Sequence, residues 1–319
     1  MIPWTHYNMN MENTTDDSEI YFYEQQPLHE EKGILIILPG WSYIADTWSP
    51  ILLTNQYLIK YYRVFIILNR GYNNKYYDYG NTLKQYATDV YEFIKKRNFT
   101  NISLLGHSIG AAIVWNIIHL YGESKFKNFI IVDEPPVLFK NAIAIHQIPG
   151  AVYDNTELHK ITNVFHGSNK KANKYKTGFI NKLFTSTFNK NHSDVVKKVS
   201  DGTLLFNNKV LGNILIDTIH DLNMEKMFKN NKIDKPTLII GGKDSVVPFD
   251  SIIYQKKYYK RPKVFIFKEG SSHSMFIENY TLFNIVLNKF LKTSMKKSST
   301  IKRKRVAPKN KTSKNKPPK

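Results

Sequence analysis

The stretch Ile102-Ser103-Leu104-Leu105-Gly106-His107-Ser108-Ile109-Gly110-Ala111-Ala112-Ile113 decides the architecture, because a short apolar run passes into a longer one through a turn with glycine on both sides of a serine. A strand, a tight Gly-x-Ser-x-Gly turn and an apolar helix form a unit in which the serine leaves the strand end through strained backbone and stands clear as a nucleophile. The glycines let strand and helix approach closely, and the helix directs amide N–H groups toward the serine oxygen. The plain alternative for Ser108 is a turn serine.

Outward from this unit the pattern repeats. Ile20 to Tyr23 is a short β-prone run, and Ile34 to Leu38 is a continuous apolar strand stopped by Pro39-Gly40. Val64 to Leu68 ends in Asn69-Arg70-Gly71, and a helix follows with Leu83, Tyr86, Ala87, Val90, Phe93 and Ile94 on one face. Phe129 to Val132 continues the alternation. Short β-branched runs separated by helical stretches are what a parallel, doubly wound sheet requires. After Asp133-Glu134-Pro135-Pro136 the rhythm breaks, and the chain becomes rich in Lys, Asn, Thr and His, which marks a cap insertion over about 135–234. The sheet pattern resumes at Pro236 to Ile240 and Val264 to Phe267. A last helix from about Phe276 to Leu291 carries Leu282, Phe283, Val286 and Phe290 toward the core.

The expected organisation is an acidic N-terminal leader over 1–19, one domain over 20–292, and a basic disordered tail over 293–319. The 319 residues can bury a large core, and 42% hydrophobic content excludes wholesale disorder. No apolar run approaches the roughly 18 residues of a membrane span. The first residues lack a basic and apolar leader of secretory type, and there is no cysteine, so an intracellular, cytoplasmic setting is the default. A nucleus or, for a large DNA virus, a virion are the alternatives. The net charge of +20 is uneven: eleven of the 46 Lys/Arg and none of the 26 acids lie in 296–319, leaving +9 on the rest. The tail composition cannot offset ordering entropy, and Lys302-Arg303-Lys304-Arg305 suits a nuclear-import or polyanion contact, or merely a solvated tail. The N-terminal acids either fold back near basic surface or form a plain leader.

In open parallel sheets ligands bind at the carboxyl ends of the strands. Pro39-Gly40-Trp41, Ser108, Asp133, Asp244 and His273 all follow strands. The order nucleophile, acid, histidine, with a long insertion after the serine, resembles the α/β-hydrolase superfamily over roughly 20–292. The branch most similar holds small esterases, C–C bond hydrolases and cofactor-free haloperoxidases. The resemblance implies an α/β-hydrolase fold with a helical cap, and Ser108, His273 and Asp244 as nucleophile, base and acid, with Asp133 the alternative acid. It also implies an oxyanion hole from the backbone N–H groups of Trp41 and Ile109, with Trp41 lining the substrate pocket or packing beneath the cap. Pro39-Gly40 and Asn69-Arg70-Gly71-Tyr72-Asn73 depart from the family pattern of His-Gly and Asp-x-Arg-Gly-x-Gly, which loosens the subfamily but removes no catalytic group. His107 is expected to pack inward. No metal-ligand cluster or phosphate-cradling loop is present, and Gly241-Gly242-Lys243-Asp244 lacks P-loop spacing, so neither metal nor cofactor is expected.

The implied activity is hydrolysis of an ester, thioester or similar acyl bond in a small apolar substrate, with an apolar cap favouring longer acyl chains. Two rivals remain at this level. One is a cofactor-free oxygenase or haloperoxidase-like enzyme on the same fold. The other is a non-catalytic hydrolase-fold protein that binds polyanions through its tail.

Overall fold

The computed structural model describes residues 1–140, 149–151, 153–268 and 270–304. Its centre is an eight-stranded sheet in the order β1-β2-β4-β3-β5-β6-β7-β8. The strands are β1 (Asn10–Asn13), β2 (Glu19–Gln25), β3 (Gly33–Leu38), β4 (Tyr62–Ile67), β5 (Ile102–His107), β6 (Phe126–Val132), β7 (Thr237–Gly242) and β8 (Pro262–Phe267). The first two strands run antiparallel and the remainder parallel. This is the α/β-hydrolase fold.

The apolar runs become central strands because both of their faces are covered. Ile36, Leu38, Leu104, Ile131 and Ile239 pack into one layer, and Leu35, Ile37, Leu105, Ile130 and Ile240 into the other. The first layer is closed by α3 (Leu83–Lys96) and α4 (Ile109–Tyr121). The second is closed by α1 (Ser49–Thr54), α2 (Gln56–Tyr61), α12 (Met275–Glu278) and α13 (Tyr280–Lys304). Between β6 and β7 lie the cap helices α5 (Asn155–Phe165), α6 (Asn169–Lys182), α7 (Ser186–Asn191), α8 (Ser193–Thr203), α9 (Asn208–Asp221) and α10 (Met224–Phe228). A further short helix, α11 (Phe249–Tyr254), follows β7. Register aligns Leu38 with Gly106, His107 with Val132 and Val132 with Ile240. The residues that leave β3, β5, β6 and β7 therefore gather at one rim.

Three features differ from the sequence expectation. The N-terminal segment is part of the sheet rather than a plain leader, β1 pairing with β2, while its acids do fold back onto basic residues: Arg97 holds Glu12 through two bonds of 2.8 Å, and Asp16 lies 2.8 Å from Arg70. Its strand was hidden because Asn10-Met11-Glu12-Asn13 has neither β-branched residues nor apolar alternation. The closing helix begins after a break at Asn279, which rotates the expected core face. Leu282 is exposed, Val286 is only partly buried, and Leu287 joins Phe283 and Phe290 in the interior. That helix also runs on to Lys304 across the start of the expected disordered tail, since straight-chain lysines sustain an established helix. Arg305 and 306–319, and with them the end of the expected import cluster, lie outside the described residues.

One buried ion pair ties a loop to the first helical layer. Arg70, 3% exposed, donates to both carboxylate oxygens of Asp89, Nε to Oδ2 at 2.5 Å and an η nitrogen to Oδ1 at 2.8 Å. Burial raises the Asp89 carboxyl, with the guanidinium opposing. Removing one partner of such a pair leaves an uncompensated buried charge, which typically costs about 3–5 kcal/mol. Asp16 remains to Arg70, so Asp89→Ala is expected toward the lower end of that range in urea unfolding. A loss below about 1 kcal/mol would mean the pair does not organise the loop.

Candidate active site

Ser108 sits between β5 and α4 with φ 53° and ψ −131°, a region that costs a non-glycine residue about 1–3 kcal/mol. The conformation is imposed by close packing. A Cβ on Gly110 would lie 2.0 Å from the Leu38 carbonyl oxygen, and one on Gly106 would lie 2.4 Å from the Gly110 carbonyl oxygen. Only glycine lets the helix start this near the sheet, and the serine between them takes up the strain. The Ser108 amide is anchored on the Val132 carbonyl at 2.8 Å.

Asp133 follows Val132 and also has positive φ, at 52°. It is fully buried, and its carboxylate collects three donors. The Gly242 amide donates to Oδ1 at 3.2 Å, the Ser245 hydroxyl donates to Oδ2, and His273 Nδ1 lies 2.7 Å from Oδ2. An acceptor on Nδ1 assigns the ring proton to that nitrogen and leaves Nε2 as the basic one. His273 is 4% exposed and lines one cavity together with Ser108. No direct hydrogen bond joins Ser108 to His273 among the described residues; such contacts commonly tighten only in the Michaelis complex.

The structure therefore pairs His273 with Asp133 and not with Asp244. Asp244 lies two residues beyond the end of β7, is exposed, and accepts the Gly270 amide at 2.6 Å. Its carboxylate braces the loop that leads to the histidine. Asp133, by contrast, is turned by its left-handed backbone toward the β7 end, where Gly242 and Ser245 fix it. Both acids end strands, and sequence spacing alone does not distinguish them.

Trp41 lines the cavity and is also clamped by the cap, so the two readings of this residue coincide. Its indole N–H donates to the Leu211 carbonyl at 2.9 Å, and Phe165 and Phe179 meet its ring edge-on. Ile109 opens α4, where first-turn amides lack an intrahelical acceptor. His107 is buried and neutral, its pKa pushed well below the ordinary value by desolvation and by the neighbouring His273. Its Nε2–H donates to the His273 carbonyl at 3.0 Å, so it supports the histidine loop from below. Sequence reasoning passed over Ser245 and Glu134. Ser245 carries no motif, but Glu134 is a second charged residue in succession after the apolar run Phe129 to Val132, a signal that could have been followed.

With the rim described, the fold can be set beside known structures. The bromoperoxidase from Bacillus anthracis superposes with a TM-score of 0.73 at 21% identity, covering 89% of this chain and 100% of that one. An esterase from Exiguobacterium antarcticum gives 0.72 at 21% identity over 89% and 99%, and a thermophilic esterase from Thermogutta terrifontis gives 0.74 at 12% identity over 91% and 99%. At these identities the likeness establishes the fold. No protein-family profile matches the chain, and no curated protein matches it by sequence.

The Asp133–His273 geometry has a spectroscopic consequence. A buried Nδ1–H shared with a carboxylate should give a strongly downfield proton resonance. Asp133→Ala is expected to remove it and Asp244→Ala to retain it; the reverse pattern would return the acid to Asp244.

Proposed function

We propose that this protein is a serine hydrolase of carboxylic esters or comparable acyl bonds in small molecules, with Ser108, His273 and Asp133 as nucleophile, base and acid. The observation that carries the reading is the 2.7 Å contact of buried Asp133 with His273, which lines the same cavity as the strained Ser108. The esterase and bromoperoxidase likenesses are consistent with it. In this reading Ser108 Oγ attacks the carbonyl carbon while His273 Nε2 takes its proton. The tetrahedral oxyanion is held by the amides of Trp41 and Ile109. Collapse expels the alcohol, which receives the proton back from His273, and water repeats the sequence to release the acid.

The described cavity encloses about 120 Å³. Pockets for drug-sized ligands run from about 300 to 1,000 Å³, so this space suits a short acyl group. The reading therefore favours short acyl chains over the longer ones an apolar cap would suggest. The basic tail is read as a separate polyanion or import contact.

A fluorophosphonate probe should label the wild-type protein and fail on Ser108→Ala. Asp133→Asn, which leaves the histidine in the wrong tautomer, should lower ester turnover by about 10⁴-fold. Labelling that persists without the Ser108 hydroxyl would remove it from the mechanism, and oxygen uptake surviving Ser108→Ala would favour an oxygenase. Across a p-nitrophenyl ester series, acetate to butyrate should exceed octanoate in kcat/KM; a maximum at octanoate would contradict the enclosed volume.

A further inference from the structure

Glu134 directly follows the acid that holds His273, yet its surroundings are opposite in kind. Asp133 receives three donors on its two oxygens. Glu134, 4% exposed, has a buried Oε1 without a hydrogen-bond partner in the protein. It lines the cavity beside Ser108 and His273, and its carboxyl lies within hydrogen-bonding reach of the Ser108 hydroxyl. The loop is not loose, because the Glu134 carbonyl accepts from Gln255 Nε2 at 3.0 Å. An acceptor buried without a partner is disfavoured, and among the described residues with such an atom Glu134 is the one that also lines this cavity. Most of the remaining lining is apolar, and the Thr218 hydroxyl is already committed to the Ile214 carbonyl.

We propose that Glu134 is a further catalytic and specificity-determining residue: its carboxyl contacts the Ser108 nucleophile, and its free Oε1 accepts a hydrogen bond from a hydroxyl carried on a short acyl group. The substrate class is therefore the ester of a short hydroxy acid. This rests on the serine-hydrolase reading.

The protonation state follows from the surroundings. Desolvation is the largest influence and raises the carboxyl well above the ordinary range; the Asp133 charge adds to this, and Ser108 opposes it. The titratable groups around it are Asp133, His273 and Tyr153. As the neutral acid, Glu134 donates its O–H to Ser108 Oγ, so the serine's own proton is directed to His273. Once ionised it accepts that proton's hydrogen bond instead, competes with His273, and faces the developing oxyanion with like charge. The neutral form is present below the raised pKa, so activity should fall as pH rises through it. Glu134 undergoes no net proton change during turnover.

The test compares Glu134→Gln, which keeps a donor and an acceptor but cannot ionise, with Glu134→Leu, which removes both. Methyl glycolate and methyl propionate, nearly isosteric in the acyl group, are followed by pH-stat, and the fluorophosphonate labelling rate is measured against pH. The wild-type glycolate-to-propionate ratio of kcat/KM should persist within about threefold in Glu134→Gln and fall by at least about tenfold in Glu134→Leu. The alkaline decline in labelling should vanish in Glu134→Gln. An unchanged ratio in Glu134→Leu, or an alkaline decline in Glu134→Gln matching wild type, overturns the proposal. Should Glu134→Leu fail to fold, the Glu134→Gln labelling profile decides alone. A wild-type protein that neither labels nor cleaves either ester defeats the hydrolase reading and this proposal together. Labelling at Ser108 with unaltered variant profiles defeats this proposal only.

Discussion

The closest constraint in the molecule is the approach of the α4 N-terminus to the β3 strand end, where even a methyl group on Gly110 would overlap the Leu38 carbonyl. Everything at the rim inherits from it. Because the helix starts so near the sheet, the chain between strand and helix has no room for a relaxed turn, and Ser108 is held at positive φ. A hydroxyl on such a turn projects away from the sheet, and the amide after it begins the helix with its N–H unpaired. The strain is sustained because two buried hydrophobic layers and a full parallel ladder surround it.

The strand following this turn repeats the device. Asp133 is also left-handed, directly after Val132, and its carboxylate is directed sideways to β7 rather than onward along the chain. This places an acid beside His273 from the neighbouring strand end, and leaves Asp244 on the outside as a brace for the Gly270 loop. Two consecutive residues then carry carboxyls in opposite surroundings. The Asp133 carboxylate is ringed by donors, whereas burial raises the Glu134 carboxyl, which lines a mostly apolar cavity.

The central strands were legible in the sequence because β3, β5 and β7 are buried on both faces and read as unbroken apolar runs. Ser108 stands directly past such a run, whereas His273 lies well beyond the half-buried β8 and was read from the order of serine, acid and histidine along the chain. What failed to show was anything decided by side-chain direction. Asp133 and Asp244 both follow strands, and only backbone handedness separates them. The β1 edge strand is polar and held by Arg97–Glu12 and the neighbouring strand, so no periodicity announced it. The Leu282 error came from Asn279, whose break between two helices shifts the face by part of a turn.

The cap explains why a site built on a common sheet can still be particular. Trp41 leaves the β3 end, yet its indole is hydrogen-bonded to α9 and edged by rings from α5 and α6, so cap and sheet share one wall of the cavity. A shift of these helices would move Trp41, which lines the same cavity as Ser108. Under the proposed function, substrate fit beneath the cap and the Trp41 oxyanion donor would be coupled through one residue: an acyl group too large for the enclosed space would displace the ring and, with it, that amide. On that proposal selectivity should appear in kcat as well as in KM, because the contact that measures size would also position a donor to the developing charge.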